Sequence, residues 1–296
     1  MNQDELISRL DFLAEDSGVQ VWVHARRVTD AADEVALDAD VPVPMASLYK
    51  VPLAGCWAEQ VDAGTLDATA AVTLLRDNRT AGPTGVSALL DDVVLSQRDC
   101  IRMMLALSDN ASATAVLDLV GHAAVQNWIV RSGCTSTTAR RGTADAMRAV
   151  IAESGGRTLD EALQALADPS TDRTTSEYDP ALTSSSTARD LTSMLAQLWT
   201  TGYAEPVRAG MRHQAWRHRV GTGFPHDDVT IAGKTGTLGR LRHEIAVIEY
   251  PEETPIAVAI MTRSLRPETH QPRVDAAIGT IARLAVNRLR RAPQTQ

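Results

Sequence analysis

Lysine is nearly absent from this chain, and the two positions where it occurs are the first candidates for chemistry. Of the 29 Lys and Arg residues, only Lys50 and Lys234 are lysines. Arginine stays charged in a protein, whereas a buried lysine can lose its proton and act as a base. The use of arginine everywhere else therefore suggests that these two places need an amine. The alternative is that both are ordinary surface lysines.

A serine lies three residues before the first lysine, at the predicted start of a helix. Residues three apart share a helix face, so we expect the amine of Lys50 beside the hydroxyl of Ser47. A neutral lysine there could take the hydroxyl proton and make the serine a nucleophile. Backbone N–H groups at the helix N-terminus could stabilise a developing oxyanion. The spacing therefore predicts Ser47 as nucleophile and Lys50 as its base.

The tripeptide Ser108-Asp109-Asn110 falls between two predicted helices, where the backbone can turn side chains toward a cleft. The hydroxyl of Ser108 could relay a proton to a leaving nitrogen. The amide of Asn110 could hold both Lys50 and a substrate carbonyl. The alternative for this motif is that Asn110 only caps the helix that follows.

The second lysine opens Lys234-Thr235-Gly236-Thr237, which is predicted to end a strand. Lys234 and the hydroxyls of Thr235 and Thr237 could bind a substrate carboxylate. Gly236 would let the backbone approach closely, because it has no Cβ. The N–H of Thr237 could then form an oxyanion hole together with the N–H of Ser47.

The periodicity of apolar residues predicts the elements that must bring these motifs together. Helical spacing ends at Gly18 near the N-terminus, and it dominates from Ser47 to about Thr201, with loops at 77–84 and 170–186. Short segments rich in β-branched residues predict strands. These strands are 19–23, 35–37, 229–232, 244–250 and 256–262, and a closing helix follows Pro272.

This order of elements predicts a fold with two lobes. The strands at both ends of the chain would form one sheet covered by the terminal helices. Residues 1–43 and 205–296 would then make a discontinuous α/β lobe. Residues 44–204 would make a helical lobe that carries the nucleophile.

Composition limits the classes of partner. The chain of 296 residues is 44% hydrophobic and 22% charged, as expected of a globular protein, and its net charge is -8. Nucleic acids and anionic membranes need a basic surface, so a small molecule or a peptide is the expected partner. The three cysteines, Cys56, Cys100 and Cys134, are too scattered for a metal or redox motif and are predicted to lie in the core. No metal or cofactor is expected.

The N-terminal segment lacks the features of a secretory signal. It carries acidic residues where a signal would have positive charge followed by an apolar run. No apolar stretch approaches the roughly 18 residues needed to span a bilayer. The sequence as given therefore predicts a cytoplasmic protein, or a secreted one if a leader was removed.

Taken in order, the three motifs resemble the signature motifs of class A β-lactamases and penicillin-binding proteins. They are Ser47-x-x-Lys50, Ser108-Asp109-Asn110 and Lys234-Thr235-Gly236. The resemblance extends through 60–64, 186–191 and 245–248. It implies an α/β (α+β) class A β-lactamase-like fold, with an antiparallel sheet, flanking helices and an all-helical lobe around a cleft. It also implies that Arg219 helps to bind a β-lactam carboxylate, unless it is a surface arginine.

One feature of the family is missing from this sequence. Class A β-lactamases carry a glutamate in a Glu-x-x-Leu-Asn loop, and this glutamate activates the water that releases the acyl group. Between Gly155 and Ser186 there is no such motif. Glu177 is the candidate for a water-activating base there, and the alternative is a solvated loop acid. The other acids of the loop are Asp168, Asp172 and Asp179.

Three functions remain open at this point. The first is a class A-like β-lactamase, which forms an acyl-enzyme at Ser47 and hydrolyses it. The second is a D-alanyl peptidase or an esterase on the same scaffold, which would suit the missing glutamate. The third is a β-lactam-binding protein that is acylated once and serves as a sensor.

Overall fold

The computed structural model describes residues 2–290, which form helices around one large antiparallel sheet. The helices are α1 (Gln3–Asp16), α2 (Lys50–Asp62), α3 (Gln97–Ala106), α4 (Asn110–Val120), α5 (His122–Arg131), α6 (Thr143–Ser154), α7 (Leu159–Ala167), α8 (Ala188–Thr200), α9 (Glu205–Arg212) and α10 (Pro272–Leu289). The strands are β1 (Val19–Arg27), β2 (Asp30–Leu37), β3 (Val43–Pro44), β4 (Ala71–Leu74), β5 (Val93–Ser96), β6 (Ser185–Ser186), β7 (Thr230–Leu238), β8 (Leu241–Glu249) and β9 (Ile256–Ser264).

The main sheet joins the two ends of the described chain. Its strand order is β2-β1-β9-β8-β7, and each neighbouring pair is antiparallel. β1 pairs with β9 along its whole length, from Val19 opposite Ser264 to Arg27 opposite Ile256. The prediction of one antiparallel sheet built from both ends is therefore confirmed. β7 is an edge strand of this sheet.

Both faces of the sheet are covered, and successive residues face different cores because side chains alternate along a strand. Val21 and Val23 belong to the core that includes α1 and α10. Trp22, between them, belongs to the core that includes the helices of the middle of the chain. Double coverage explains why residues 245–248 of β8 and 256–261 of β9 are continuous apolar runs rather than alternating ones.

The helical part of the chain packs around α2. Residues 50–58 are all buried, and Gly55 lies so close to Trp128 that an added Cβ would be 2.6 Å from its ring. α8 packs against β1 and β9, and α9 packs against β7. One continuous core therefore joins the helical part to the sheet. The division into residues 44–204 and the two flanking segments stays a prediction.

Among the predicted boundaries that differ from the structure, two concern the motifs. Ser47 does not begin an α-helix, because it lies in a short 3-10 turn, Ala46–Tyr49, that precedes α2. Lys234 does not end its strand, because β7 continues to Leu238 by pairing with β8 as far as Leu241. The tight β7–β8 connection thus extends a strand that β-branched content alone predicted to stop at residue 232.

The three cysteines lie in the core, as predicted, and are not joined in disulfides. Burial raises the pKa of the Cys56 and Cys100 thiols to about 11 and that of Cys134 to about 12. These thiols therefore stay protonated and unreactive at neutral pH. Between residues 2 and 290, no helix combines the length and the apolar character that crossing a membrane requires.

Candidate active site

Ser47 and Lys50 are one 3-10 turn apart. In such a turn, side chains three residues apart eclipse each other, so these two share a face. Ser47 is half-buried and Lys50 is completely buried. Ala46, directly before the serine, has a φ of 46°, in the left-handed region that residues with a Cβ rarely adopt. Strained backbone of this kind clusters at functional sites, where surrounding contacts hold it in place.

A second strained residue, Ser108, connects α3 to α4, with a φ of 60°. The carboxylate of Asp109 accepts hydrogen bonds from the N–H groups of Ser87 at 2.9 Å and Ser112 at 3.0 Å. Asp109 is therefore the N-cap of α4, rather than Asn110. The amide of Asn110 is thereby free to turn toward Lys50.

The Lys50 amine lies among the atoms of this connection. Its Nζ donates to Ser108 O at 2.6 Å and to Asn110 Oδ1 at 2.9 Å, and it lies 3.4 Å from Ser108 Oγ. Burial lowers the pKa of Lys50 to about 7, and the charge of Asp109 opposes this effect. A neutral amine has two N–H bonds and a lone pair. The two close acceptors can take both N–H bonds, which leaves the lone pair available to accept a proton.

Lys234 reaches the same hydroxyl from β7. Its Nζ donates to Ser108 Oγ at 2.9 Å and to Thr235 O at 2.7 Å. Lys234 is completely buried, and burial together with the nearby charge of Lys50 lowers its pKa well below that of a free lysine. The structure thus brings Lys50, Ser108, Asn110 and Lys234 into one hydrogen-bonded cluster.

The outer edge of β7 presents backbone groups to the site. Thr235 N–H donates to Gln214 Oε1 at 2.8 Å, and Thr235 O accepts from Lys234, so both groups point away from β8. Backbone groups of alternate residues point to the same side of an antiparallel strand. The N–H of Thr237 therefore lies on this free edge too. Thr237 lines the same pocket as Ser47.

Arg219 lies behind β7 and is only 2% exposed. Its guanidinium pairs with Asp275 at 2.8 Å and donates to Gly236 O at 3.1 Å. One terminal nitrogen also donates to Thr237 Oγ1 at 2.8 Å. Arg219 is therefore not a surface arginine. It reaches the pocket by holding the hydroxyl of Thr237, and direct binding of a substrate carboxylate by Arg219 stays a prediction.

Glu177 lies in the wall of the pocket that Ser47 lines. It is 4% exposed, and its oxygens accept hydrogen bonds from Arg141 Nη1 and Thr183 Oγ1, each at 2.5 Å. It is thus not a solvated loop acid. The other three acids of this loop lie outside the pocket lining. Asp168 accepts from Ser170, Asp172 pairs with Arg240, and Asp179 accepts from Ala181 N.

Several site residues were not predicted from the sequence. Gln214 links Thr235 N–H to Glu244, because its Nε2 donates to Glu244 Oε1 at 2.7 Å. Burial raises the pKa of Glu244 to about 7. Glu244 is a charged residue directly before the apolar run 245–248, which was a signal for it, whereas nothing in the sequence distinguished Gln214 or Arg141. Among residues 2–290, no group of three His, Cys, Asp or Glu side chains is placed to hold a metal ion.

Comparison with known proteins agrees with this fold. Residues 5–289 match the model of the family described as the β-lactamase enzyme family. The β-lactamase regulatory protein BlaB of Streptomyces cacaoi is 29% identical, over 98% of this chain and 99% of that protein.

Two solved structures share the fold. A mutant class A β-lactamase of the last common ancestor of Gram-negative bacteria has a TM-score of 0.75 at 22% identity, and the match covers 95% of this chain and 97% of that one. An acyl-enzyme complex of a PBP-A mutant with penicillin G has a TM-score of 0.75 at 16% identity, with 96% of each chain covered. The family match spans nearly the whole chain, and the protein therefore belongs to the β-lactamase enzyme family.

Proposed function

We propose that this protein is a class A-like serine β-lactamase that opens β-lactam amides through an acyl-enzyme at Ser47. The observation that carries the proposal is that Lys50, one 3-10 turn after Ser47, and Lys234 are both buried and both approach Ser108 Oγ, at 3.4 Å and 2.9 Å. Buried lysines with lowered pKa values cluster at functional sites. The structural relative PBP-A forms an acyl-enzyme complex with penicillin G, which supports a β-lactam as the acyl donor here.

The proposed reaction has two steps. Ser47 Oγ attacks the lactam carbonyl while Lys50 takes the hydroxyl proton, and the N–H groups of Ser47 and Thr237 stabilise the oxyanion. The C–N bond then breaks, and the nitrogen receives its proton through Ser108. Water attacks the resulting ester, which releases the opened acid and restores the Ser47 hydroxyl. Lys234 holds the substrate carboxylate, together with the hydroxyl of Thr235.

The test is to mix the protein with a chromogenic cephalosporin and to follow absorbance and intact mass together. The proposal expects a covalent mass increase within the first turnover, followed by sustained absorbance change beyond one equivalent. Peptide mapping should locate the added mass on the segment that contains Ser47. Absence of both an adduct and turnover would contradict the proposal.

A second candidate, a β-lactam sensor that is acylated once, is favoured by the contacts of Glu177. Both of its oxygens already accept a hydrogen bond, from Arg141 and Thr183, so an attacking water would have to share an oxygen with one of these donors. The relative from Streptomyces cacaoi is described as a regulatory protein. If Glu177 cannot activate water, the acyl group stays on Ser47, and the protein reports a β-lactam instead of destroying it.

Replacing Glu177 with Gln separates these two candidates. If Glu177 is the base of the hydrolase, the variant should be acylated at the normal rate, while the lifetime of the adduct rises about 100-fold or more. Time-resolved intact mass spectrometry measures both rates. Asp168→Asn, in the same loop but outside the pocket, is the control. An unchanged adduct lifetime would remove Glu177 from the mechanism, and a long lifetime in the unaltered protein would favour the sensor.

Replacing Gly236 with Ala should slow acylation by displacing β7 from the serine turn. A Cβ at this position would lie 2.8 Å from the backbone oxygen of Met45 and 3.0 Å from the side chain of Leu48. The backbone of Met45 cannot move away as easily as the end of a flexible side chain can. A shift of about 1 Å at a reacting centre can lower the rate about 100-fold. Gly202→Ala, where an added Cβ has no neighbour within 4 Å, is the control. Equal acylation rates in the two variants would show that Gly236 is dispensable.

A further inference from the structure

The pocket beside Ser47 is lined by Arg141, which pairs with Glu177 and has no role in the proposed mechanism. The pocket, including its part open to solvent, occupies about 400 Å³. Its lining combines the serine turn, the start of α6, the Glu177 loop and the end of β7. The residues used below are Ser47, Arg141, Glu177 and Thr237, all of which line it.

Arg141 has N–H groups that form no hydrogen bond with the described part of the protein. Its Nη1 donates to Ser176 Oγ at 2.9 Å and to Glu177 Oε1 at 2.5 Å. Within residues 2–290, its Nη2 and Nε make no hydrogen bond, and the side chain is 29% exposed. The side chain of Glu177, by contrast, is almost completely buried. One edge of the guanidinium is therefore fixed by the protein, and the other edge, on a residue that lines the pocket, has no hydrogen-bond partner among the described residues.

The position of the pocket indicates which part of a substrate would reach this edge. Lys50, Ser108 and Lys234 do not line it. If Ser108 delivers a proton to the leaving nitrogen, the amine half of the substrate lies on the side of those residues. The acyl half, still attached to Ser47, then extends into the pocket that Arg141 lines.

We infer that Arg141 is a specificity-determining residue that binds a carboxylate on the acyl side chain of the substrate. Guanidinium edges bind carboxylates through two parallel hydrogen bonds, and Arg141 is already oriented by Glu177, so little side-chain freedom is lost on binding. The inference rests on the proposed function, because it assumes that an acyl donor reacts at Ser47. The inference goes beyond the proposed function by naming the chemical group, a carboxylate, that the acyl side chain of the substrate carries.

The test compares benzylpenicillin with carbenicillin, which differs from it by one carboxylate on the acyl side chain. Initial acylation rates of the full chain are measured by intact mass. Dissociation constants are measured by calorimetry on the Ser47→Ala protein, which cannot be acylated. We expect carbenicillin to be favoured about tenfold in both measurements, as for a hydrogen-bonded charge pair that is partly exposed.

Three variants show whether Arg141 is the cause. Arg141→Ala should remove the preference for carbenicillin, and Arg141→Lys should restore part of it. Arg141→Ala combined with Glu177→Gln avoids leaving a buried unpaired carboxylate and should behave like Arg141→Ala. Arg140→Ala removes the neighbouring exposed guanidinium, which does not line the pocket, and should keep the preference. A purely structural role of Arg141 would change both penicillins equally.

The outcomes separate this inference from the proposed function. Equal rates and affinities for the two penicillins, or a preference that survives Arg141→Ala, would overturn the inference and leave acylation at Ser47 intact. A preference in binding that depends on Arg141, without an adduct from either penicillin, would support the inference and overturn the proposed function. Failure of both penicillins to bind or to react would overturn both.

Discussion

Replacing Ser47 with Ala is expected to abolish covalent adduct formation with β-lactams. The hydroxyl is the atom that would form the ester, and alanine has no atom that can replace it. The substitution removes one oxygen from a half-buried position, so the fold should be retained. The measurement is intact mass after incubation with benzylpenicillin, with the loss of adduct expected to be complete at every time point.

The control for this experiment is Ser136→Ala, which removes the hydroxyl of an exposed serine far from the motifs in sequence. Thermal unfolding of both variants shows whether they are folded. An adduct of unchanged mass on the Ser47→Ala protein would mean that a different nucleophile reacts. The assignment of the whole site would then be wrong, because Lys50 and Ser108 would be serving another group.

Replacing Lys50 with Arg is expected to slow acylation by about 1000-fold, the range for loss of a general base. Arginine keeps the positive charge but cannot lose its proton in a protein, so it cannot accept the proton of Ser47. In the unaltered protein, the acylation rate should rise with pH through about 7, because burial lowers the pKa of Lys50 to about 7 and only the neutral amine is a base. The pH dependence in this range should disappear in Lys50→Arg.

Lys234→Arg is the matched control for this prediction. Lys234 is proposed to bind a carboxylate, and arginine can also bind one. The acylation rate of Lys234→Arg should therefore fall by about tenfold or less. Stopped-flow absorbance with a chromogenic cephalosporin, between pH 5 and pH 9, measures all three proteins. Should Lys50→Arg react as fast as Lys234→Arg, Lys50 would serve as a charge rather than as a base.

The fold was largely predictable because the positions that become buried in helices and strands appear in the sequence as a periodic pattern of apolar residues. The valines at 19, 21 and 23 alternate with Gln20, Trp22 and His24, and this segment became β1. The alternation was nevertheless misleading in one respect, since it indicated a half-buried strand. Trp22 and His24 are buried against the helices, because the sheet is covered on both faces.

Local backbone geometry at the motifs was less predictable. Spacing put Ser47 and Lys50 on one face of a helix, and they share a face of a 3-10 turn instead. The positive φ values of Ala46 and Ser108 left no trace in the sequence, because neither position is a glycine. Contacts from the rest of the fold must hold these residues in strained conformations, and such contacts are not encoded within a short window.

The sequence by itself determined which residues are proposed to carry the chemistry, because residue types and short spacings are local properties that do not depend on the path of the chain. Only the tertiary structure decided which distant groups meet. It brought Ser108 between two lysines that are 184 positions apart in number, and it placed Glu177 and Arg141 in the pocket of Ser47. Loops have no hydrophobic periodicity, so their positions follow from packing between elements far apart in the sequence.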